Sequence, residues 1–318
     1  MKEKILNLLK ESDGYISGEK ISDTVGISRT AVWKHIKSLK KDGFIIQSVT
    51  NKGYMLVSSP DILNEYEIQS KLETEFIGRN IMMFGETDST NIQAKNNSAK
   101  PDGTVFIAEA QTIGRGRLGR SWDSQKGTGI WHSILLKPDI TISDLPKITL
   151  VAGLAVCRAI GLDAKIKWPN DVVIGNKKVC GILTEMSAET DRINYVVCGV
   201  GINVNTDSFP AEISEKATSL RIEYGREFER NALIARFLNE FEKLYKSFLK
   251  NGLSEILDEY KKNCVTLGRE VRVLSRNDTV CGTAEDIAPD GSVIIRTENG
   301  CVKVNSGEVS IRGMYGYL

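Results

Sequence analysis

The stretch "QTIGRGRLGRSWDS", residues 111–124, sets Gly114, Gly116 and Gly119 among Arg115, Arg117 and Arg120. Neither a helical nor a strand period runs through it, and glycines weaken both elements, so it reads as a loop. Glycine lets a loop backbone take positive φ and approach a ligand closely. Exposed peptide N–H groups in such a loop form a nest for anions. The guanidinium groups add forked donors that match phosphate or carboxylate. The stretch reads as neither a P-loop, whose Lys-Ser/Thr ending it lacks, nor a dinucleotide fingerprint. Taken alone it would also suit a flexible basic loop that touches nucleic acid. Its neighbours favour a pocket. Ser89-Thr90-Asn91 and "KWPND…KKVCGI" are polar groups bounded by strands, the usual setting of a ligand site.

Working outward, "NIMMFGETDSTN" is a strand that breaks at Asp88-Ser89-Thr90, where small polar residues cap a following helix. "GTVFIAEAQ" and "GIWHSILLKP" are apolar strands on either side of the loop. Residues 145–160 read as a buried helix. "KIKWPNDVVIGNKKVCGILTEM" reads as strand, turn, strand, with Pro169-Asn170-Asp171 in a loop and Gly175-Asn176 at a hairpin turn. "NYVVCGVGINVN" is a further strand. Helices are expected over 64–74, 231–248 and 253–264. Strands in runs, partly joined as hairpins, predict a mixed sheet with helices on one side. From Leu267 the pattern is all-β, with turns at Asn277-Asp278, Asp290-Gly291 and Asn299-Gly300, as in a small SH3-like barrel.

The first sixty residues are different. Ile5, Leu6, Leu8 and Leu9 give a first helix its apolar face. In "SGEKISDTVGISRTAVWKHIKSLKKDGF", Ile21 and Val25 mark a second helix, Gly26 takes the turn and Ser28 caps a third. Val32, Ile36 and Leu39 face inward, leaving Arg29, Thr30, Trp33, Lys34 and Lys37 outside. This is helix-turn-helix spacing, in which the third helix enters a major groove with its first turn nearest the bases. "FIIQSVTNKGYMLV" then reads as a hairpin wing turning at Asn51-Lys52-Gly53. Ten Lys/Arg against six Asp/Glu leave residues 1–60 at +4, although the whole chain carries only +1. A three-helix module that binds protein is the plainer alternative; the exposed basic helix favours DNA, and a module this small favours a dimer on a two-fold site.

At 318 residues the chain exceeds one ordinary core. The expected organisation is α+β and multidomain: a winged helix-turn-helix over 1–60, a catalytic domain with a central mixed β-sheet and helices over 64–265, and an SH3-like β-barrel over 266–318. No apolar run is long enough for a membrane span. The start is an amphipathic helix and not a secretory signal. Cys157, Cys180, Cys198, Cys264, Cys281 and Cys301 form no C-x-x-C pair and read as reduced thiols in a cytoplasmic protein. With only His35 and His132, neither a zinc site nor a histidine-based triad is expected, and no protein-held metal.

"GRGRLGRSW", "DSTN", "KWPNDV" and "KKVCGILTEM", in this order and spacing, resemble the biotin–protein ligases. The preceding winged helix narrows the resemblance to the bifunctional type, ligase and biotin operon repressor in one chain. Leu118 departs from it, standing where some relatives carry another arginine. The resemblance implies two steps. Biotin and ATP form biotinyl-5′-AMP, and a lysine of an acceptor protein, the biotin carboxyl carrier protein, then takes the biotin. The biotin carboxylate is already ionised near neutrality, so the first step needs positioning and charge stabilisation by arginine, lysine, backbone N–H and Mg²⁺ more than a base. By resemblance Ser89, Thr90, Asn91 and Gln111 bind the ureido ring, and Arg115, Gly116 and Arg117 cover carboxylate and phosphate. Lys178 reaches the reacting oxygens, with Arg115 and Arg117 as catalytic partners, and Gly181 permits close approach. Trp122, Asn170 and Asn203 contact the nucleotide, and Asp171 either assists a metal or orients Lys178. Read blandly, Lys178 is a turn lysine in water, Trp122 is core, and the asparagines hold turns. Biotinyl-AMP held by the loop would favour a homodimer on operator DNA. The rivals are a lipoate ligase or acyl transferase of the same fold, and a ligand-sensing repressor without catalysis.

Overall fold

A computed structural model describes residues 1–41, 43–58, 61–161, 163–189, 192–274, 279–306 and 310–313. The chain forms two compact units, residues 1–62 and 63–318. Among the described residues no helix is long and apolar enough to cross a membrane.

The first unit contains α1 (Lys2–Lys10), α2 (Gly18–Val25), α3 (Arg29–Lys41), β1 (Ile45–Val49) and β2 (Gly53–Ser58). Ser17 caps α2 by accepting from the Lys20 N–H, and Gly26 ends it at φ 72°, a left-handed turn that glycine adopts without strain. Ser28 accepts from the Ala31 N–H at 3.2 Å and so starts α3. Ile5, Leu9, Ile21, Val32, Ile36 and Leu39 close the core, so the three helices are held by the faces their spacing marks out. β1 and β2 pair antiparallel as the wing. Ile16 adds backbone bonds to Tyr54, and a Cβ at Gly53 would lie 2.1 Å from the Ile16 carbonyl oxygen.

The second unit begins with α4 (Glu65–Gln69), β3 (Ile81–Phe84), α5 (Thr90–Asn96), β4 (Val105–Ala108), β5 (Gly129–Leu136) and α6 (Leu145–Ile160). It continues through β6 (Lys165–Lys167), β7 (Asp171–Ile174), β8 (Lys177–Glu189), β9 (Arg192–Asn203), α7 (Leu220–Tyr224), α8 (Arg230–Asn251) and α9 (Leu257–Lys262). These strands form one mixed sheet in the order β3-β4-β5-β9-β8-β7-β6, parallel only between β3 and β4. α6 is apolar almost all round and lies beneath the sheet with α8. Then β10 (Glu270–Leu274), β11 (Thr279–Ile287), β12 (Val293–Thr297), β13 (Gly300–Val304) and β14 (Ser310–Gly313) form an antiparallel sheet in the order β13-β12-β11-β10-β14. Val271, Ile287, Val293 and Ile295 of that sheet share one apolar cluster with the mixed sheet, and the Trp168 indole donates to the Gly291 carbonyl at 3.0 Å.

Four expectations change. Helices do not keep to one side: Ala94 of α5 packs with Phe106, Leu135 and Val197 on the face opposite α6 and α8. The helix expected over 64–74 stops at Gln69: Lys71 and Leu72 bond back to the Ile68 and Gln69 carbonyls in a tightened turn, and further on the Glu242 carboxylate takes the N–H groups of Glu75, Phe76 and Ile77. The helix expected over 253–264 is confined to Leu257–Lys262, after a turn closed by the Leu253 carbonyl. Residues 165–186 make three strands, with Asp171 opening the middle one. The expected turn at Asn277-Asp278 lies outside the described residues.

Candidate functional site: a pocket on a glycine-bare sheet face

On β9, Gly199 and Gly201 alternate with Cys198, Val200 and Ile202. The period of two sends the apolar set into the core and leaves the other face of the strand bare between Val197 and Asn203. Three side chains from different elements lie down on that bare face. A Cβ at Gly199 would meet Asn91 Oδ1 at 2.1 Å, and one at Gly201 would meet Trp122 Nε1 at 2.6 Å. At Gly181 of β8 it would meet Trp122 Cζ3 at 2.8 Å and Lys178 Nζ at 3.0 Å.

Lys178 reaches this face through a register shift. In a regular strand, residues 178 and 181 point to opposite sides. β7 and β8 pair Val172 with Cys180 but Val173 with Lys178, so Val179 is an extra residue. Val179 and Cys180 both enter the core, and the bulge turns Lys178 toward the site. Lys178 Nζ then lies 2.5 Å from Asp171 Oδ1 and 5.0 Å from the Trp122 ring centre. Asp171 is thus the carboxylate paired with the Lys178 ammonium. The Lys178 backbone is braced by Lys216 and Thr218, bonded at 2.7 and 2.9 Å.

One cavity is lined by Ser89, Thr90, Asn91, Gln111, Arg115, Gly116, Arg117, Trp122, Asn170, Lys178 and Gly181, bringing eleven of the expected ligand residues together. Asn203 is the exception. It is buried and donates to the Thr218 carbonyl at 3.0 Å, so it steadies the segment that braces Lys178. Ser89 holds the N-cap position of α5 without a side-chain capping bond. Gln111 Oε1 accepts from the Thr90 N–H at 2.8 Å, and Gln111 Nε2 donates to Ser124 Oγ at 2.8 Å, which joins α5 to the base of the loop. Asn91 donates to Glu185 Oε2 at 2.8 Å. Ser133, fully buried and missed from sequence, lies 2.7 Å from Thr90 Oγ1 and 2.6 Å from Asn91 Oδ1. Its hydroxyl has one proton for two acceptors.

The loop carries its arginines to the mouth. Gly116 and Trp122 close it with bonds to Arg120 and Gly114 carbonyls at 2.7 and 2.9 Å, and a short 3₁₀ turn spans Arg117–Gly119. Leu118 sits at φ 57°, an uncommon left-handed position for a leucine, with its side chain exposed. Arg117 donates to Asn170 Oδ1 at 3.0 Å and to the Ser306 carbonyl at 2.5 Å. Burial lowers its pKa, and the nearby Asp171 charge opposes that shift. Gly114-x-Gly116-x-x-Gly119 does spell the dinucleotide spacing, but the loop runs from β4 into antiparallel β5 and opens no helix, in keeping with the expectation that the stretch is no dinucleotide fingerprint. Among the described residues no three His, Cys, Asp or Glu side chains gather as a metal site.

In the first unit, Arg29, Thr30, Trp33, Lys34 and Lys37 are all exposed on α3, with the Lys37 ammonium 5.2 Å from the Trp33 ring centre. Ser28 holds its N-terminus.

A winged helix-turn-helix unit, followed by a mixed sheet that gathers arginines, a lysine and amides into one cavity, defines a DNA-binding class of protein with a site for an anionic small molecule. Comparison with known proteins resolves the class. The biotin/lipoate A/B protein ligase family model matches residues 84–203, a helix-turn-helix model residues 2–55 and the biotin protein ligase C-terminal domain model residues 266–312. The chain is 39% identical to the bifunctional ligase/repressor BirA of Bacillus subtilis, covering 98% of each chain. It is 29% identical to that of Escherichia coli, over 97% of this chain and 96% of the other. A biotin protein ligase from Aquifex aeolicus, solved in complex with biotin and ATP, superposes with a TM-score of 0.67 at 34% identity, over 74% of this chain and 99% of that one. The chain belongs to the biotin protein ligase family.

His132 carries a pH dependence. Its ring is fully buried, edge-on to Phe237 at 4.9 Å, and neither nitrogen has a hydrogen-bond partner among the described residues. Burial depresses its pKa from 6.5 to about 3. The unfolded chain therefore binds a proton that the folded chain refuses. The stability due to neutral His132 is complete above pH 6.5 and is lost as pH falls toward 3, at about 1 kcal/mol per pH unit. Denaturant titrations of parent and His132→Phe between pH 7 and 4 are expected to show a shallower acid slope in the variant; equal slopes would remove His132 as the cause.

Proposed function

We propose that the chain is a bifunctional enzyme and repressor. It condenses biotin with ATP to biotinyl-5′-AMP, transfers the biotin to a lysine of a biotin carboxyl carrier protein, and represses biotin genes with biotinyl-AMP as co-repressor. The observation that carries this reading is the meeting of Arg115, Arg117 and Lys178 with the Ser89–Asn91 turn and Gln111 in one cavity.

In the first step a biotin carboxylate oxygen bonds to the α-phosphorus of ATP, the bond to the β-phosphate oxygen breaks, and pyrophosphate leaves. No proton must be removed first. The chain's task is to hold two anions in line and to stabilise the charge that builds on phosphate. Lys178, oriented by Asp171, stands for the carboxylate and α-phosphate oxygens. Arg115, Gly116 and Arg117 close over them. Ser89, Thr90, Asn91 and Gln111 meet the ureido ring. Trp122, whose buried indole N–H has no partner among the described residues, and Asn170 serve the nucleotide, with Asn203 acting through the Lys178 brace. In the second step the acceptor's lysine amine attacks the anhydride carbonyl, the amine gives up a proton, and AMP leaves. The cavity wall is cationic, so Mg²⁺ enters on the phosphates of ATP as part of the substrate.

Residues 1–60 act as the operator-binding domain, 64–265 as the catalytic domain and 266–318 as an SH3-like barrel, in a cytoplasmic protein. Ser28, Arg29, Thr30, Trp33, Lys34 and Lys37 form the face of α3 offered to the major groove. Biotinyl-AMP orders the loop, and the ordered loop favours a homodimer that fits a two-fold operator. Sedimentation is expected to give tighter self-association with biotinyl-AMP; an unchanged dimerisation constant would break this link.

ATP-dependent pyrophosphate release tests the chemistry. Biotin should support it, and lipoate or octanoate should not. Lys178→Met should slow it by roughly 10²–10³-fold, the scale of losing one donor to developing charge. Release driven by lipoate would indicate the sister activity, and no release with any acid would leave a sensor without catalysis.

A further inference from the structure

The Gly/Arg loop is strung between two strand ends, Ala108 closing β4 and Gly129 opening β5. Both ends meet the same buried cation. Arg230, the first residue of α8, is fully buried. Its Nη1 donates to Glu109 Oε2 at 3.0 Å and its Nη2 to Glu109 Oε1 at 3.3 Å. The same Nη1 donates to the Gly129 carbonyl at 3.0 Å. Glu109, itself 8% exposed, also accepts from the Leu63 N–H at 2.6 Å. One guanidinium thus gathers the residue that enters the loop, the residue that leaves it and, through Glu109, the chain at Leu63. Asn231 beside it accepts from the Asn64 N–H at 2.8 Å and tightens the same hold.

We propose that Arg230 is a positioning residue for adenylate retention: by clamping both feet of the Gly/Arg loop, it fixes where Arg115, Arg117 and Trp122 stand over the ligand. Gln111 lies two residues beyond Glu109, so the clamp also sets the end of α5 through the Gln111–Thr90 bond. A buried ion pair of this kind is weak evidence for stability, because its desolvation cost offsets much of its attraction. Its planar fork is suited to another task, fixing a carboxylate and a carbonyl in one plane. Lysine keeps the charge for Glu109 but has no fork to span Gly129.

The inference rests on the ligase reading, so the test is built to separate the two. Parent, Arg230→Lys and the double variant Arg230→Met/Glu109→Leu are compared as full-length proteins. Each is incubated with biotin and MgATP. Free biotinyl-AMP that escapes into solution is measured against pyrophosphate released, alongside the thermal transition. The Lys variant is expected to leak adenylate at least 10-fold faster than the parent and to raise KM for biotin more than it lowers the rate of pyrophosphate release. The double variant removes both buried charges and should melt somewhat below the parent, because the Leu63 N–H and the Gly129 carbonyl lose their partners, yet leak out of proportion to that loss and as fast as the Lys variant. Variants that retain adenylate as the parent does, or that leak only in proportion to lost fold, would assign the pair to stability and overturn the proposal. A parent that forms no biotinyl-AMP would instead overturn the ligase reading.

Discussion

The site depends on a strip of sheet that carries no side chains. Gly199 and Gly201 on β9 and Gly181 on β8 leave backbone bare, and onto it fold Asn91 from a helix, Trp122 from the loop and Lys178 from the strand itself. Any Cβ at these positions would occupy space those side chains fill. The opposite face of the same strands is packed with Cys198, Val200, Ile202, Cys180 and Ile182. The sheet therefore offers a rigid platform on one side because it is anchored by an apolar core on the other. Burial pushes the Cys180 thiol well above its usual range, which keeps it neutral within that core.

On this platform charge is placed by geometry. The Val179 bulge turns Lys178 to the bare face, Asp171 holds its ammonium, and Asn170 and Ser306 receive Arg117. The last contact gives the C-terminal sheet a place in the site, since Ser306 follows β13. Arginine and lysine fixed before a ligand arrives cost little reorganisation when phosphate charge develops, which is the economy of electrostatic catalysis. The loop must still admit a ligand, and its glycines and exposed tip serve that need. The buried Arg230–Glu109 pair holds both feet of that loop.

Much of this was legible in the residues. The 145–160 helix, the three-to-four spacing of Val32, Ile36 and Leu39, and the Gly/Arg stretch as a loop follow from local pattern, and local pattern is what sequence displays. What escaped depends on contacts between distant segments. A one-residue bulge leaves no mark in "KKVCGI" until its partner strand is known. Ser133 looks like any small residue in an apolar strand, and its meaning comes from Thr90 and Asn91 across the fold. Asn203 adjoins the glycine pattern but turns to Thr218. Beyond the helix that ends at Gln69, the chain is held by a carboxylate on α8, which no local rule contains.

The most direct measurement is biotin affinity by calorimetry for Gly199→Ala beside Gly85→Ala, a glycine with nothing within 4 Å of an added Cβ. The account predicts that the first variant binds biotin about 10²-fold or more weakly, since Asn91 is driven off the sheet, while the second binds as the parent and both melt within a few degrees of it. Parent-like affinity in a folded Gly199→Ala protein would contradict it.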